Sequence, residues 1–108
     1  MRALPRSVKL LSQVIPVASI AHLSHENEEC HGLYSPDGPS ISVNRADGSE
    51  RKRATLVHES LHAMFNASQL GAQAADDEEE LVARLAPILL SWMRENRPMV
   101  EYLLETGP

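Results

Sequence analysis

Thr55-Leu56-Val57-His58-Glu59-Ser60-Leu61-His62-Ala63-Met64-Phe65-Asn66 is the stretch whose reading decides the fold. An α-helix turns about 100° per residue, so side chains four apart stand one turn apart on a single face. His58 and His62 are so placed, and two imidazoles in that relation can reach one tetrahedral Zn²⁺. Glu59 stands beside that face, where a carboxylate can take a proton from a water on the metal. Val57, Leu61 and Met64 recur at i, i+4 and i+7, which predicts a core-facing stripe displaced from the histidines. The helix can then bury one side and turn the other to a cleft. The same pattern also fits an amphipathic helix with surface histidines and no chemistry.

Upstream, Asp47 with Glu50 three residues later has the spacing of a capping box. Glu50-Arg51-Lys52-Arg53 reads as a solvated first turn. Two histidines leave a metal site incomplete, because a catalytic zinc takes three protein ligands and keeps a fourth position for water. A third histidine six residues beyond His62 would fall on Ser68, and the glycine that goes with that variant is Phe65 here, so that arrangement is excluded. The alternative is a carboxylate from a following helix, and Asp76-Asp77-Glu78-Glu79-Glu80-Leu81-Val82 offers several. Leu81, Val82, Leu85, Ala86, Leu89 and Leu90 form an inward stripe. Glu79, three before Val82 and seven before Ala86, prolongs it. Glu80 pairs with Asp77 as a capping box, and Glu78, beside Leu81 and Leu85, remains an alternative ligand to Glu79.

Thr55 to Ala63, the short strand-like segment before it, and Glu79-Glu80-Leu81-Val82-Ala83-Arg84-Leu85-Ala86 after it resemble the ImmA/IrrE family of small zinc metallopeptidases, particularly its compact phage and prophage members. The resemblance covers about residues 30 to 92. The family's second motif, Glu-x-x-Ala-Asn-x-Phe-Ala, laid on this chain, puts Glu79 at the ligand position; Val82, Ala83 and Leu85 depart from its Ala, Asn and Phe. The likeness implies a gluzincin-type site, with Zn²⁺ held by His58, His62 and Glu79 and with Glu59 as general base. It further implies cytoplasmic peptidase activity on a peptide or protein substrate such as a repressor. The expected fold is a minimal zincin-like α+β domain, a small antiparallel sheet of about three strands packed on the His-Glu helix and a following Glu-bearing helix. A reading from another class is a zinc-stabilised phage accessory protein that binds a partner and cuts nothing.

Composition agrees with one α+β domain over residues 1–108. The chain has 43% hydrophobic residues but only 4% aromatic ones, so its core is aliphatic. A net charge of −5 argues against a nucleic-acid partner, which selects for basic surfaces. A single cysteine, Cys30, forms no internal disulfide and points to a reducing compartment. No apolar run reaches the ~20 residues of a membrane span, and Lys9, Ser12, Gln13 and Pro16 interrupt the only run that could imitate a signal peptide. Oligomeric state is not legible.

Taken from its start, the chain offers a strand over residues 13 to 20, rich in β-branched residues, with Pro16 marking an edge or bulge. A helical turn is expected before it. Residues 22 to 31, with His22, His25, His31 and Cys30, read as a polar surface loop; His25 or His31 from it, or Tyr34 just beyond it, could reach over a cleft to a developing oxyanion. Residues 32 to 44 read as strand, turn, strand; Ile41 and Val43 alternate with polar residues to bury one face, and in gluzincin-like folds such a strand lies beside the metal cleft, where its free edge can pair with an extended peptide. Gly71 marks the joint between the two long helices. Pro87 should kink the second, and Pro98 opens a short third.

Overall fold

The computed structural model describes residues 3–68 and 78–106, with residues 78–83 and 86 described by their backbone alone. Strand β1 (Ser7–Leu10) turns back into β2 (Gln13–Ile20), the two paired antiparallel from Ser7↔Pro16 to Leu10↔Gln13. Leu11 and Ser12 between them both have positive φ, 49° and 68°. That is the two-residue hairpin geometry whose twist suits the strands it joins. A second hairpin, β3 (Ser24–His25) to β4 (Glu28–Glu29), uses the same geometry at Glu26 and Asn27. Strands β5 (Gly32–Ser35) and β6 (Ser40–Asn44) pair antiparallel. Helices α1 (Ser49–Ser68), α2 (Glu78–Glu95) and α3 (Arg97–Leu104) follow.

The main sheet has the order β1-β2-β6-β5, and β2 runs parallel to β6 from Val17↔Ile41 to Ile20↔Asn44. It is therefore a mixed sheet of four strands, where three antiparallel ones were expected. Residues 7–10 are a strand and not a helical turn, and the polar segment after β2 contains the small β3–β4 hairpin. Strand β2 occupies residues 13 to 20 as predicted, but it is an inner strand. Its proline is accommodated by register. Val17 N–H donates to Arg6 O, whereas Ile20 O accepts from Arg45 N–H on the opposite flank. Odd positions thus bond toward β1 and even ones toward β6. The donor that Pro16 lacks would face β6 just before pairing with β6 begins at Val17.

The core joins Val8, Leu10 and Ile15 of the first hairpin with Ile41 and Val43 of β6, closed over by the helices. Leu56, Ala63 and Met64 come from α1, Trp92 from α2, and Met99 and Tyr102 from α3. The buried face of α1 is rotated from the one expected. Leu56 and Met64 are fully buried, Ser60 and Arg53 lie with them, and Val57 is 37% exposed. Arg53 does not belong to the wet first turn: its Nε donates to Tyr102 O at 3.0 Å, and its Nη1 lies 3.1 Å from Glu50 Oε2. The guanidinium also stands 5.4 Å from the centre of the Tyr102 ring, locking α1 to α3. Burial raises the Tyr102 phenol above its ordinary value, while the Arg53 charge pulls it the other way.

Asn96, at the corner between α2 and α3, clamps the outer edge of β1. Its Oδ1 accepts from Lys9 N–H, and its Nδ2 donates to Lys9 O, both at 2.6 Å. The side-chain amide takes the place of a further strand, so the free backbone edge is satisfied at its centre. No helix among the described residues is long and apolar enough to cross a membrane. Pro87 lies inside α2, and Pro98 stands in the first turn of α3, as the sequence predicts. The predicted joint at Gly71 lies outside the described residues.

Candidate active site

The surface of α1 that is turned from the core carries His58 and His62. Their Nε2 atoms are 3.2 Å apart, and the rings meet edge to face at 69° with centres 4.9 Å apart. Two nitrogens bound tetrahedrally to one zinc at about 2.0–2.1 Å stand roughly 3.3–3.4 Å from each other. At 3.2 Å one ring donates its Nε2–H to the other's Nε2, a separation close to that zinc ligation would require. His58 remains accessible, with its side chain 67% exposed.

Glu59 differs from both neighbours. Its side chain is only 9% exposed, with Oε2 4.0 Å from His58 Nε2. The cause is the approach of β5 to α1 at Gly32. A Cβ at position 32 would run into Thr55 Cγ2 and come within 3.2 Å of Glu59 Oε2. Glycine lets the strand lie on the helix here, and the strand covers the carboxylate from one side. Two residues along β5, the Tyr34 hydroxyl accepts from Asn66 Nδ2 at 3.3 Å, so the strand runs beside α1 past both histidines. Because β5 is the last strand of the sheet, its outer edge has no strand partner among the described residues.

An open depression of about 330 Å³ lies beside His58 and Glu59, lined by them with Thr55, Gly32, His31, Arg51 and Ala54; His62 does not line it. The spacing of Asp47 to Glu50 suits a cap of α1. Asp47 Oδ2 instead lies 2.8 Å from His31 Nδ1, and the helix begins at Ser49. The pair spans sixteen residues of sequence and depends on the β5–β6 register, so no local pattern announces it.

The structure thus brings His58, Glu59 and His62 together. The side chain of Glu79, like that of its alternative Glu78, lies outside the described residues; the backbone of both opens α2, which packs against α1. Among the described residues no group of three or more His, Cys, Asp or Glu side chains converges as a metal site. The two imidazoles are compatible with zinc in spacing and donor type, and no third protein donor stands beside them among the described side chains. Compared with protein-family models, curated proteins and solved structures, the chain matches none.

Proposed function

We propose that this chain is a zinc-dependent endopeptidase of the zincin kind, similar to the ImmA/IrrE metallopeptidases, acting on a peptide or protein substrate such as a repressor. The observation that carries the reading is the 3.2 Å separation of the His58 and His62 Nε2 atoms with the carboxylate of Glu59 sunk beside them. His58, His62 and Glu79 would hold the ion, with Glu78 as the alternative donor. Zinc bound there would supply a Lewis acid that polarises a carbonyl and makes water acidic near neutral pH.

The protein's own groups carry the protons. Glu59 takes one from the attacking water and delivers it to the amine nitrogen as the C–N bond breaks. Its burial holds the carboxylate at a fixed distance from His58, so little reorganisation accompanies the transfer. An extended substrate can add to the outer edge of β5, which places its backbone along the row of histidines.

Metal analysis of the purified protein tests the reading. Wild type should carry one zinc, and His62→Ala and Glu79→Ala should lose it. Glu59→Gln should keep the zinc and lose hydrolysis of labelled peptides by several orders of magnitude, since one group performs both proton transfers. Equal zinc in wild type, His62→Ala and Glu79→Ala rejects the coordination. Full turnover in Glu59→Gln rejects the mechanism. Partner binding without cleavage by a zinc-loaded wild type favours the accessory-protein alternative.

A further inference from the structure

The depression beside the histidines extends one way from them. Its lining takes in His58 and Glu59, then Thr55, then Arg51, each nearer the start of α1, whereas His62 takes no part. Arg51 stands seven positions, or two turns, before His58, so the two share a face of the helix about 10 Å apart along its axis.

Arg51 is exposed, and the acids around the start of α1 are engaged elsewhere. Glu50 Oε2 lies 3.1 Å from Arg53 Nη1, and Glu105 Oε2 lies 3.7 Å from Arg53 Nη2. Asp47 is committed to His31 at 2.8 Å. Behind that pair stands Asn44, only 1% exposed, whose N–H donates to His31 O at 2.8 Å and whose O accepts from Asp47 N–H at 3.2 Å. Its Nδ2 donates to Cys30 O and to Glu29 Oε2, and its Oδ1 accepts from Ala46 N–H. The wall that carries Asp47 is thus fixed, and its carboxylate does not serve Arg51. Among the described residues Arg51 forms no ion pair. Exposed arginines are common; this one lines the depression that holds Glu59 and keeps its planar fork of donors free for a carboxylate from outside.

The direction of β5 decides which part of a substrate meets that fork. Gly32, at the start of the strand, lies against Thr55 and Glu59, and Tyr34, two residues on, bonds Asn66. The strand therefore runs in the same sense as α1. A peptide paired antiparallel with its outer edge, as β6 is with its inner one, runs against α1. From the histidines it passes toward Arg51 with its C-terminal part leading. At about 3.3 Å per residue, the distance takes about three residues.

We infer that the depression receives the substrate residues on the C-terminal side of the cleaved bond, and that Arg51 is a specificity-determining residue which selects peptides carrying a carboxylate about three residues beyond that bond. The inference rests on the peptidase reading. The carboxylate is the peptide's own terminus or the side chain of an Asp or Glu, both of which present the same two oxygens to the guanidinium. The contact is remote from the reacting atoms and equal in ground and transition states, so it acts on KM.

The test uses the zinc-loaded full chain and pools of fluorescence-quenched peptides, randomised over uncharged residues. One pool ends in a free carboxylate, a second in an amide; a third and a fourth are amidated and carry one Glu or one Lys. Mass spectrometry locates each cut. Wild type should show a KM about 10–100-fold lower for a carboxylate-bearing pool than for the neutral amide pool, the worth of a charge-assisted bond, with kcat within about threefold. Cuts should fall about three residues before the carboxylate. Preference for the first pool assigns the terminal carboxylate, and preference for the third assigns an acidic side chain. Arg51→Gln should keep its zinc and its melting temperature and no longer distinguish acid-bearing from neutral peptides. Arg51→Glu should turn the preference to the lysine pool. Lys52→Gln, at the neighbouring cation that does not line the depression, should keep the wild-type preference. Equal KM for all pools in wild type overturns the inference, as does an acid preference that survives Arg51→Gln, one that is lost equally in Lys52→Gln, or carboxylates on the N-terminal side of the cuts. In each of those cases peptides are still cleaved and the peptidase reading stands. A wild type that holds no zinc or cuts no pool removes that reading, and the inference with it.

Discussion

Two regions of this molecule set histidines beside acids, and they behave differently. On the β3–β4 hairpin, His22 lies 3.5 Å from Glu29 and His25 lies 3.7 Å from Glu26, with all four side chains more than half exposed. At the depression, His31 meets Asp47 at 2.8 Å and His58 stands 4.0 Å from Glu59, and there the acids are withdrawn to 17% and 9% exposure. The histidines in both regions are open to solvent. What separates the regions is where the carboxylates sit. An exposed pair is screened and loses side-chain entropy on forming, so it fixes little. A carboxylate pressed between a strand and a helix has one place to be. Chemistry that needs a base at a set distance can use the second arrangement and not the first.

The contrast depends most on Asn44, and its loss should have the largest effect. Asn44→Ala removes three side-chain hydrogen bonds at a buried position and leaves Ala46 N–H without that acceptor and Cys30 O without that donor. We expect a loss of about 2–3 kcal/mol in urea unfolding, in the range for buried polar groups deprived of partners. If the protein melts like wild type, the His31–Asp47 pair is held by something other than this residue, and the distinction between the two regions weakens.

A smaller effect is expected at Gly32, where the comparison concerns packing alone. Gly32→Ala places a methyl against Thr55 Cγ2 and Glu59 Cγ, and β5 must lift from α1 to admit it. Overpacking of this kind costs about 1–2 kcal/mol. Thermal melts read the loss, and the displacement of Glu59 should appear in the same variant as reduced peptide hydrolysis with zinc retained. A variant of wild-type stability would mean that strand and helix part freely at this point, and that the burial of Glu59 is not enforced.

Much of this arrangement was legible in the sequence, for reasons that also explain what was not. Residues 13 to 20 and 32 to 44 announce their strands because β-branched residues and turn residues act locally. His58, Glu59 and His62 announce a shared helical neighbourhood because helix geometry is local too. Hydropathy misplaced the buried face of α1: Arg53, Glu59 and Ser60 are polar by type, and Arg53 is buried through partners on α3 far away in sequence. Strand β1 was missed because its pairing turns on Leu11 and Ser12 adopting left-handed backbone, which neither residue advertises. Asp47 looked like a cap because its distance to Glu50 fits one, yet tertiary structure offered it His31. The acid proposed as third ligand, Glu79 or Glu78, rests on periodicity, and its side chain lies outside the described residues.

The least effect should come from the hairpin, and a null result there is informative. Replacing His22 and His25 together by alanine removes both exposed pairs. Exposed pairs contribute about 0–1 kcal/mol each, so unfolding should change by no more than about 1 kcal/mol. Zinc content and hydrolysis should match wild type, because Glu29 keeps its bond from Asn44 Nδ2 and the route from hairpin to site runs through that acid and not through the histidines. Lost zinc in the double variant would make the hairpin part of the metal site and dissolve the contrast between the regions. Retained zinc with weakened hydrolysis would instead place the hairpin against the substrate. Equality in all three measurements confines the chemistry to the wall where acids are buried, and it makes the depth of a carboxylate, more than the presence of an imidazole, the property by which this fold selects its site.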